Sequence, residues 1–126
     1  EPDQALELFR LAARLDLDDL TGTTAGGLHM ATFGGVWQAL AHGFLGLRPS
    51  GEALGVDPRL PAAWDEVTLR LRFHGHGVRV RAGHDRLDLA TDGPVRVEVG
   101  GLPARTVAPP GASWRRAGPA WEPTPA

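Results

Sequence analysis

Thr21-Gly22-Thr23-Thr24-Ala25-Gly26-Gly27-Leu28-His29-Met30-Ala31-Thr32-Phe33-Gly34-Gly35-Val36-Trp37 runs from a hydroxyl- and glycine-rich loop into an apolar helical pattern. Three threonines and paired glycines ahead of a helix supply hydroxyls and backbone N–H groups at a positive helix terminus, the makings of an anion site. His29 is expected in the first turns of that helix, where its side chain leans back toward the N-terminus and reaches the same anion. The same residues also support a purely structural reading. In that reading Thr24 is an N-cap, Gly26 and Gly27 allow tight packing, and His29 is a hydrogen-bonded interior residue.

From Thr21 to Leu47 there is no Asp, Glu, Lys or Arg. A membrane span has that length, but His29, Gln38, His42 and the interspersed threonines and glycines are costly or loosely packed in lipid. A buried helix over residues 26–46, apolar on all sides, is therefore expected. His29, Phe33 and Trp37, spaced by four, share one face, and Gly34 and Gly35 leave room for close approach by a neighbour or a substrate. Upstream, Pro2 and Asp3 suit a helix start, and Ala5, Leu6, Leu8, Phe9, Ala12, Ala13 and Leu15 follow a helical period over residues 3–15. The acidic run Asp16, Asp18, Asp19 lacks the spacing and distal glutamate of a calcium loop, and reads as loop carboxylates that turn the chain and bond backbone amides. Two helices cannot bury such apolar surfaces by themselves, so further packing partners are expected.

Downstream the period changes. Arg48-Pro49-Ser50-Gly51 ends the helix, and residues 49–65, with Asp57-Pro58-Arg59-Leu60-Pro61, read as a rigid linker. Val67, Leu69, Leu71 and Phe73, then Val78 and Val80, Leu87 and Leu89, and Val95, Val97 and Val99 alternate with polar residues. These are period-two strands with one apolar face, separated by glycine-rich turns, and they predict an antiparallel β-meander over residues 66–108. Residues 109–126, with five prolines and no period, read as a loosely attached tail in which Trp114 and Trp121 have no assigned register. The fold class is α+β, with two helices over residues 1–48 followed by a small antiparallel β-domain. His74, His76 and His84 lie at hairpin turns without a fixed fourth ligand, so they read as exposed turn residues and no metal is expected.

A net charge of −2 with both signs interspersed leaves no basic footprint for nucleic acid. The absence of cysteine removes disulfides, thiolate metal sites and a cysteine nucleophile. Absent a signal sequence, a cytoplasmic setting with neither membrane nor nucleic-acid partners is expected.

Several spaced motifs carry a resemblance. Leu15-Asp16-Leu17-Asp18-Asp19, then Thr23-Thr24-Ala25-Gly26-Gly27-Leu28-His29-Met30-Ala31, then Gly34-Gly35-Val36-Trp37-Gln38-Ala39 and Gly43-Phe44-Leu45-Gly46-Leu47 follow one another. With Asp57-Pro58-Arg59-Leu60-Pro61-Ala62-Ala63-Trp64, the chain up to about Leu102 resembles the C-terminal part of glycoside hydrolase family 65, the maltose, trehalose and kojibiose phosphorylases and their relatives. The resemblance implies that residues 1–48 form a helical hairpin from the end of an (α/α) six-hairpin barrel. It also implies that the chain, which begins Glu1-Pro2, is a piece of a longer enzyme, with the remainder of the barrel as its packing partner and a homodimer as a possible assembly of the parent.

In the resembled family a glutamic acid protonates the glycosidic oxygen while inorganic phosphate attacks the anomeric carbon from the opposite face, inverting the configuration and releasing β-glucose 1-phosphate. Inorganic phosphate is then a co-substrate, and no cofactor is implied. Carried over by matching motif, Thr23, Thr24, Gly27 and His29 are the phosphate-site candidates. No glutamate here stands in the general-acid motif, so no catalytic residue is assigned and the piece alone is expected to be inactive. Gly26 departs from the resembled pattern, which is often acidic there, and this bears on the choice of disaccharide. Two alternatives stand beside this reading. One is an inverting hydrolase of the same family, with Asp18, Asp19 or another segment supplying the base that activates water. The other is a non-catalytic carbohydrate-binding module built on the strands.

Overall fold

The computed structural model describes residues 1–125. Helix α1 spans Pro2–Ala13, with proline in its first turn and Asp3 at its positive end. The Asp3 carboxylate also accepts the Ala62 N–H at 2.7 Å, which ties the helix start to a distant segment. The chain then loops to a short 3-10 turn, Thr24–Gly26. Helix α2 follows at Met30–Gln38 and runs directly into a π-helical stretch, Ala39–Phe44.

The single helix expected over 26–46 is thus three pieces, and its start is later than the periodicity suggests. Gly27 sits at φ 135° and ψ 160°, and His29 at ψ 75°, so neither continues a helix and α2 begins only at Met30. Its burial also differs from expectation. No residue of α2 is buried, and burial begins at Ala41 and Phe44 in the π-helical stretch. Gly34 and Gly35 face open space, so no close approach occurs there among the described residues. Gly46, left-handed at φ 61°, ends the helical run, and the Leu47 N–H returns to the Ala41 carbonyl at 2.9 Å. The helices are pinned by an aromatic cluster: Phe9 meets Phe44 edge-on at 5.5 Å, and Phe44 meets Trp64 at 4.8 Å, beside the buried Leu6 and Leu60.

The strands are β1 (Arg48–Ser50), β2 (Ala53–Val56), β3 (Glu66–Phe73), β4 (His76–Gly83) and β5 (Arg86–Thr91). They continue as β6 (Val95–Val99), β7 (Arg105–Val107), β8 (Gly111–Ala117) and β9 (Ala120–Pro123). They form two sheets instead of one meander, a four-stranded sheet in the order β1-β2-β6-β7 and a five-stranded sheet in the order β3-β4-β5-β8-β9. All pairs are antiparallel except β2 and β6, which run parallel with Leu54 opposite Val97 and Val56 opposite Val99. Alternating side chains of both sheets, among them Val78, Val80 and Leu89 from one and Leu54, Val97 and Val99 from the other, join Leu45 and Leu47 in one buried cluster.

Two expectations are corrected here. The segment read as a linker supplies β1 and β2, because the short Leu54–Val56 alternation finds its partner far downstream in β6. The segment read as a loose tail supplies β8 and β9, with Trp114 opposite Leu87 and Trp121 opposite Arg116. Both tryptophans are almost fully buried, at 1% and 2% exposure, and their apolar area replaces the alternation that this stretch lacks. The prolines fall where strands tolerate them: Pro109 and Pro110 precede β8, and Pro123 closes the edge strand β9.

Candidate functional site at the threonine-rich loop

The loop between α1 and α2 is organised by carboxylates from the acidic run. Asp16 takes two polar groups of His29: Oδ2 accepts the backbone N–H at 2.8 Å, and Oδ1 accepts Nδ1–H at 2.5 Å. The Asp16 side chain is only 4% exposed, whereas that of His29 is 34% exposed. Asp19, itself at the left-handed φ of 46°, accepts the Thr24 N–H at 3.0 Å. Asp18 turns away to Arg14, whose Nε lies 2.7 Å from Oδ2. The expectation that these carboxylates turn the chain and bond backbone amides thus describes Asp16 and Asp19, but the contact of Asp16 with the imidazole was not anticipated. No sequence spacing signals it, since the pair is thirteen residues apart across a loop without a period.

Three of the four expected site residues come together. His29 Nε2 lies 3.2 Å from Thr23 Oγ1, which in turn lies 2.7 Å from Thr21 Oγ1. Thr24 Oγ1 is at 3.5 Å from Asp16 Oδ1. Gly27 plays a different part. Its N–H is taken by the Thr24 carbonyl at 3.0 Å, so it contributes its left-handed φ of 135° to the bend and not a free donor. His29 is the N-cap residue of α2 and not a first-turn residue, and Thr24 opens the 3-10 turn and not the helix. An exposed arc of the Thr21 and Thr23 hydroxyls and one imidazole nitrogen results, with the Thr24 hydroxyl turned to the buried Asp16 carboxylate.

The hydrogen bond from the His29 ring holds the Asp16 carboxyl below its ordinary pKa, against the opposing effect of desolvation. The Thr24 N–H does the same for Asp19. In β5, Asp88 is also lowered: partial burial works against ionisation, but hydrogen bonds from Arg86 and Ser113 outweigh it. A carboxyl depressed in the folded state contributes stability that is present above its unfolded value and is lost as pH falls through its folded value. The melting temperature is therefore expected to hold steady from neutral pH to about 5 and to fall from roughly pH 4 downward. A pH series of thermal melts checks this, and a melting temperature that rises on acidification below pH 4 contradicts it.

The two helices and the loop between them carry several large exposed apolar side chains. Leu8, Leu11, Leu17, Met30, Phe33 and Trp37 are 72%, 58%, 83%, 70%, 39% and 49% exposed, respectively. Surfaces of this kind mark interaction faces. A cleft of about 960 Å³ between the helices and the sheets, lined by Phe9, Phe44, Arg59, His84 and Arg116 among others, includes none of Thr23, Thr24, Gly27 and His29. The hydroxyl arc is accordingly an open face. His74 Nε2–H donates to the Gly51 carbonyl at 2.8 Å, and His76 Nδ1 lies 3.6 Å from Asp92 Oδ1, so each of these two faces a partner from another turn of the sheets. No helix of the described residues is long and apolar enough to cross a membrane.

Residues 47–105, which carry β1 to the start of β7, match the glycosyl hydrolase family 65 C-terminal domain. This stretch belongs to the C-terminal domain of glycosyl hydrolase family 65. It is 36% identical over 98 residues to a maltose phosphorylase of Bacillus subtilis (strain 168), covering 76% of this chain and 13% of that enzyme. It is 41% identical over 80 residues to an alpha,alpha-trehalose phosphorylase of Geobacillus stearothermophilus, covering 64% of this chain and 10% of that enzyme. A solved structure described as a putative kojibiose phosphorylase from human microbiome superposes with a TM-score of 0.80 at 24% identity, over 89% of this chain and 16% of that one. That likeness establishes the fold. The chain therefore spans between about a tenth and a sixth of the length of these relatives.

Proposed function

We propose that this chain is the C-terminal segment of an inverting disaccharide phosphorylase, which cleaves an α-glucoside with inorganic phosphate, and that the loop from Thr21 to His29 forms part of the phosphate site. In this reading α1 and α2 are a helical hairpin from the end of an (α/α) barrel. The exposed apolar face of Leu8, Leu11, Leu17, Met30 and Phe33 is where the remainder of that barrel packs. The relatives named as maltose and trehalose phosphorylases support the substrate class, an α-linked disaccharide and phosphate.

One observation carries the choice of phosphate over water. An inverting hydrolase needs a carboxylate free to activate water, placed opposite the general acid. Each carboxylate near the loop already accepts a hydrogen bond from within the chain: Asp16 from His29, Asp18 from Arg14 and Asp19 from the Thr24 N–H. The outward groups are hydroxyls and the imidazole Nε2, which suit an anion better than a base would. Thr23, Thr24 and His29 bind phosphate in this reading, and Gly27 shapes the bend beneath it. Phosphate attacks the anomeric carbon as a glutamic acid outside this chain protonates the leaving oxygen.

The experiment is to incubate the enzyme that carries this segment with maltose, trehalose or kojibiose, with and without inorganic phosphate. Cleavage of one of them is expected only with phosphate, yielding β-glucose 1-phosphate. Equal cleavage to free glucose in both arms would instead assign the enzyme to the hydrolases.

A further inference from the structure

An imidazole has two nitrogens, and the partner of one decides what the other can do. At His29 the partner of Nδ1 is a carboxylate oxygen at 2.5 Å, an atom that accepts and cannot donate when ionised. The second oxygen of the same carboxylate holds the His29 backbone N–H at 2.8 Å. Ring and main chain are therefore clamped by one side chain, 4% exposed, which enters from the loop after α1. Thr23 Oγ1 stands at the remaining nitrogen, Nε2, at 3.2 Å, with Thr21 Oγ1 behind it at 2.7 Å.

We propose that Asp16 is the positioning residue of this loop: it keeps the His29 proton on Nδ1, turned inward, so that Nε2 is the nitrogen offered to Thr23 and to an anion. The depressed pKa of Asp16 agrees with an ionised acceptor in that place. Neutral His29 then presents a lone pair at Nε2, which accepts the Thr23 hydroxyl. Only the imidazolium presents Nε2–H to an anionic oxygen. The Thr21–Thr23 hydroxyl pair supplies further donors on the same side. The charged group on the ring is Asp16, which Thr24 links to Asp19, while Arg14 pairs with Asp18. Asp16 does not touch the anion in this arrangement, and it acts through His29.

The anion's identity rests on the phosphate reading above, but the tautomer does not, so the two can fail separately. The test is nitrogen NMR of the 126-residue chain with labelled histidine. At a pH where His29 is neutral, Nδ1 is expected at a protonated, pyrrole-like shift and Nε2 at an unprotonated, pyridine-like shift. A protonated Nε2 on neutral His29 in the unaltered chain overturns the inference without any variant. Asp16→Asn, whose amide can serve one of the two N–H groups but not both, is expected to move the ring toward the Nε2–H tautomer, whereas Asp16→Glu is expected to restore Nδ1–H at least in part. An unchanged His29 tautomer in Asp16→Asn, with the resonances of the strands intact, also overturns it. Titration with inorganic phosphate is expected to shift Nε2 of His29 and to need at least about tenfold more phosphate in Asp16→Asn. If the tautomer is as stated but phosphate leaves Nε2 unmoved, Asp16 keeps its positioning role and the phosphate reading fails.

Discussion

Trp121→Ala is expected to lower the stability of the chain by about 3–5 kcal/mol, the usual cost of removing a buried large aromatic side chain. For a domain of this size that is a fall of roughly 10–20 °C in melting temperature. The indole is 2% exposed and gathers three segments. Arg116 of β8 stacks over its ring at 4.4 Å, and its Nε1 donates to Asp57 Oδ1 at 3.4 Å. Gly100, at the end of β6, presses so closely that a side chain there would collide with the ring. Truncation therefore opens a cavity between the two sheets and also releases the segment at Asp57. Trp37, on α2 and 49% exposed, is the internal contrast, since Trp37→Ala is expected to change stability by no more than about 0.5 kcal/mol. Thermal melts of the two variants check this. Equal, small shifts would mean that residues 109–125 are attached as loosely as their composition suggests.

The strands from Val67 to Val99 were legible because their period is local. Each alternation states which face is buried, and each glycine-rich turn states where the chain reverses. What was not legible depends on partners far away in sequence. Leu54 and Val56 are too few to declare a strand, and they become one by lying parallel to Val97 and Val99. In β8 only Ala112 and Trp114 mark the inner face, and Ser113 and Arg115 the outer one, so composition pointed to a tail while one large side chain made a strand. The apolar run after Gly27 misled in the opposite sense. Absence of charge implied burial, but α2 is exposed, because the surface that its side chains would meet is not supplied by the described residues.

The candidate site divides in the same way. Thr23, Thr24 and His29 were legible as types, since hydroxyls and an imidazole beside glycines before a helix suggest an anion. Their support was not. A left-handed Asp19 and the bend at Gly27 bring Asp16 under His29, and these backbone angles are fixed only once the loop has closed. The acidic run looked like turn chemistry, which it is, and one of its members also holds the imidazole.

His29→Ala is the functional counterpart of the tryptophan experiment. If Nε2 donates to phosphate, the alanine variant loses a hydrogen bond to a charged group, worth about 1.5–3 kcal/mol. Phosphate-dependent turnover by the enzyme carrying this segment is then expected to fall about tenfold to a hundredfold. The variant also empties the place that Asp16 fills with its hydrogen bond, so a loss of local order could imitate a loss of binding. His42→Ala separates the two. His42 lies in the π-helical stretch beyond α2, donates Nδ1–H to the Leu47 carbonyl at 2.9 Å and meets Trp37 edge-on at 6.0 Å. Its ring, like that of His29, is hydrogen-bonded within the chain, yet it does not contribute to the hydroxyl arc. Activity and phosphate affinity are expected to fall together in His29→Ala, while His42→Ala loses stability and keeps its phosphate affinity. Equal losses of activity in both, with phosphate affinity unchanged in each, would make His29 a structural residue and move the phosphate site elsewhere.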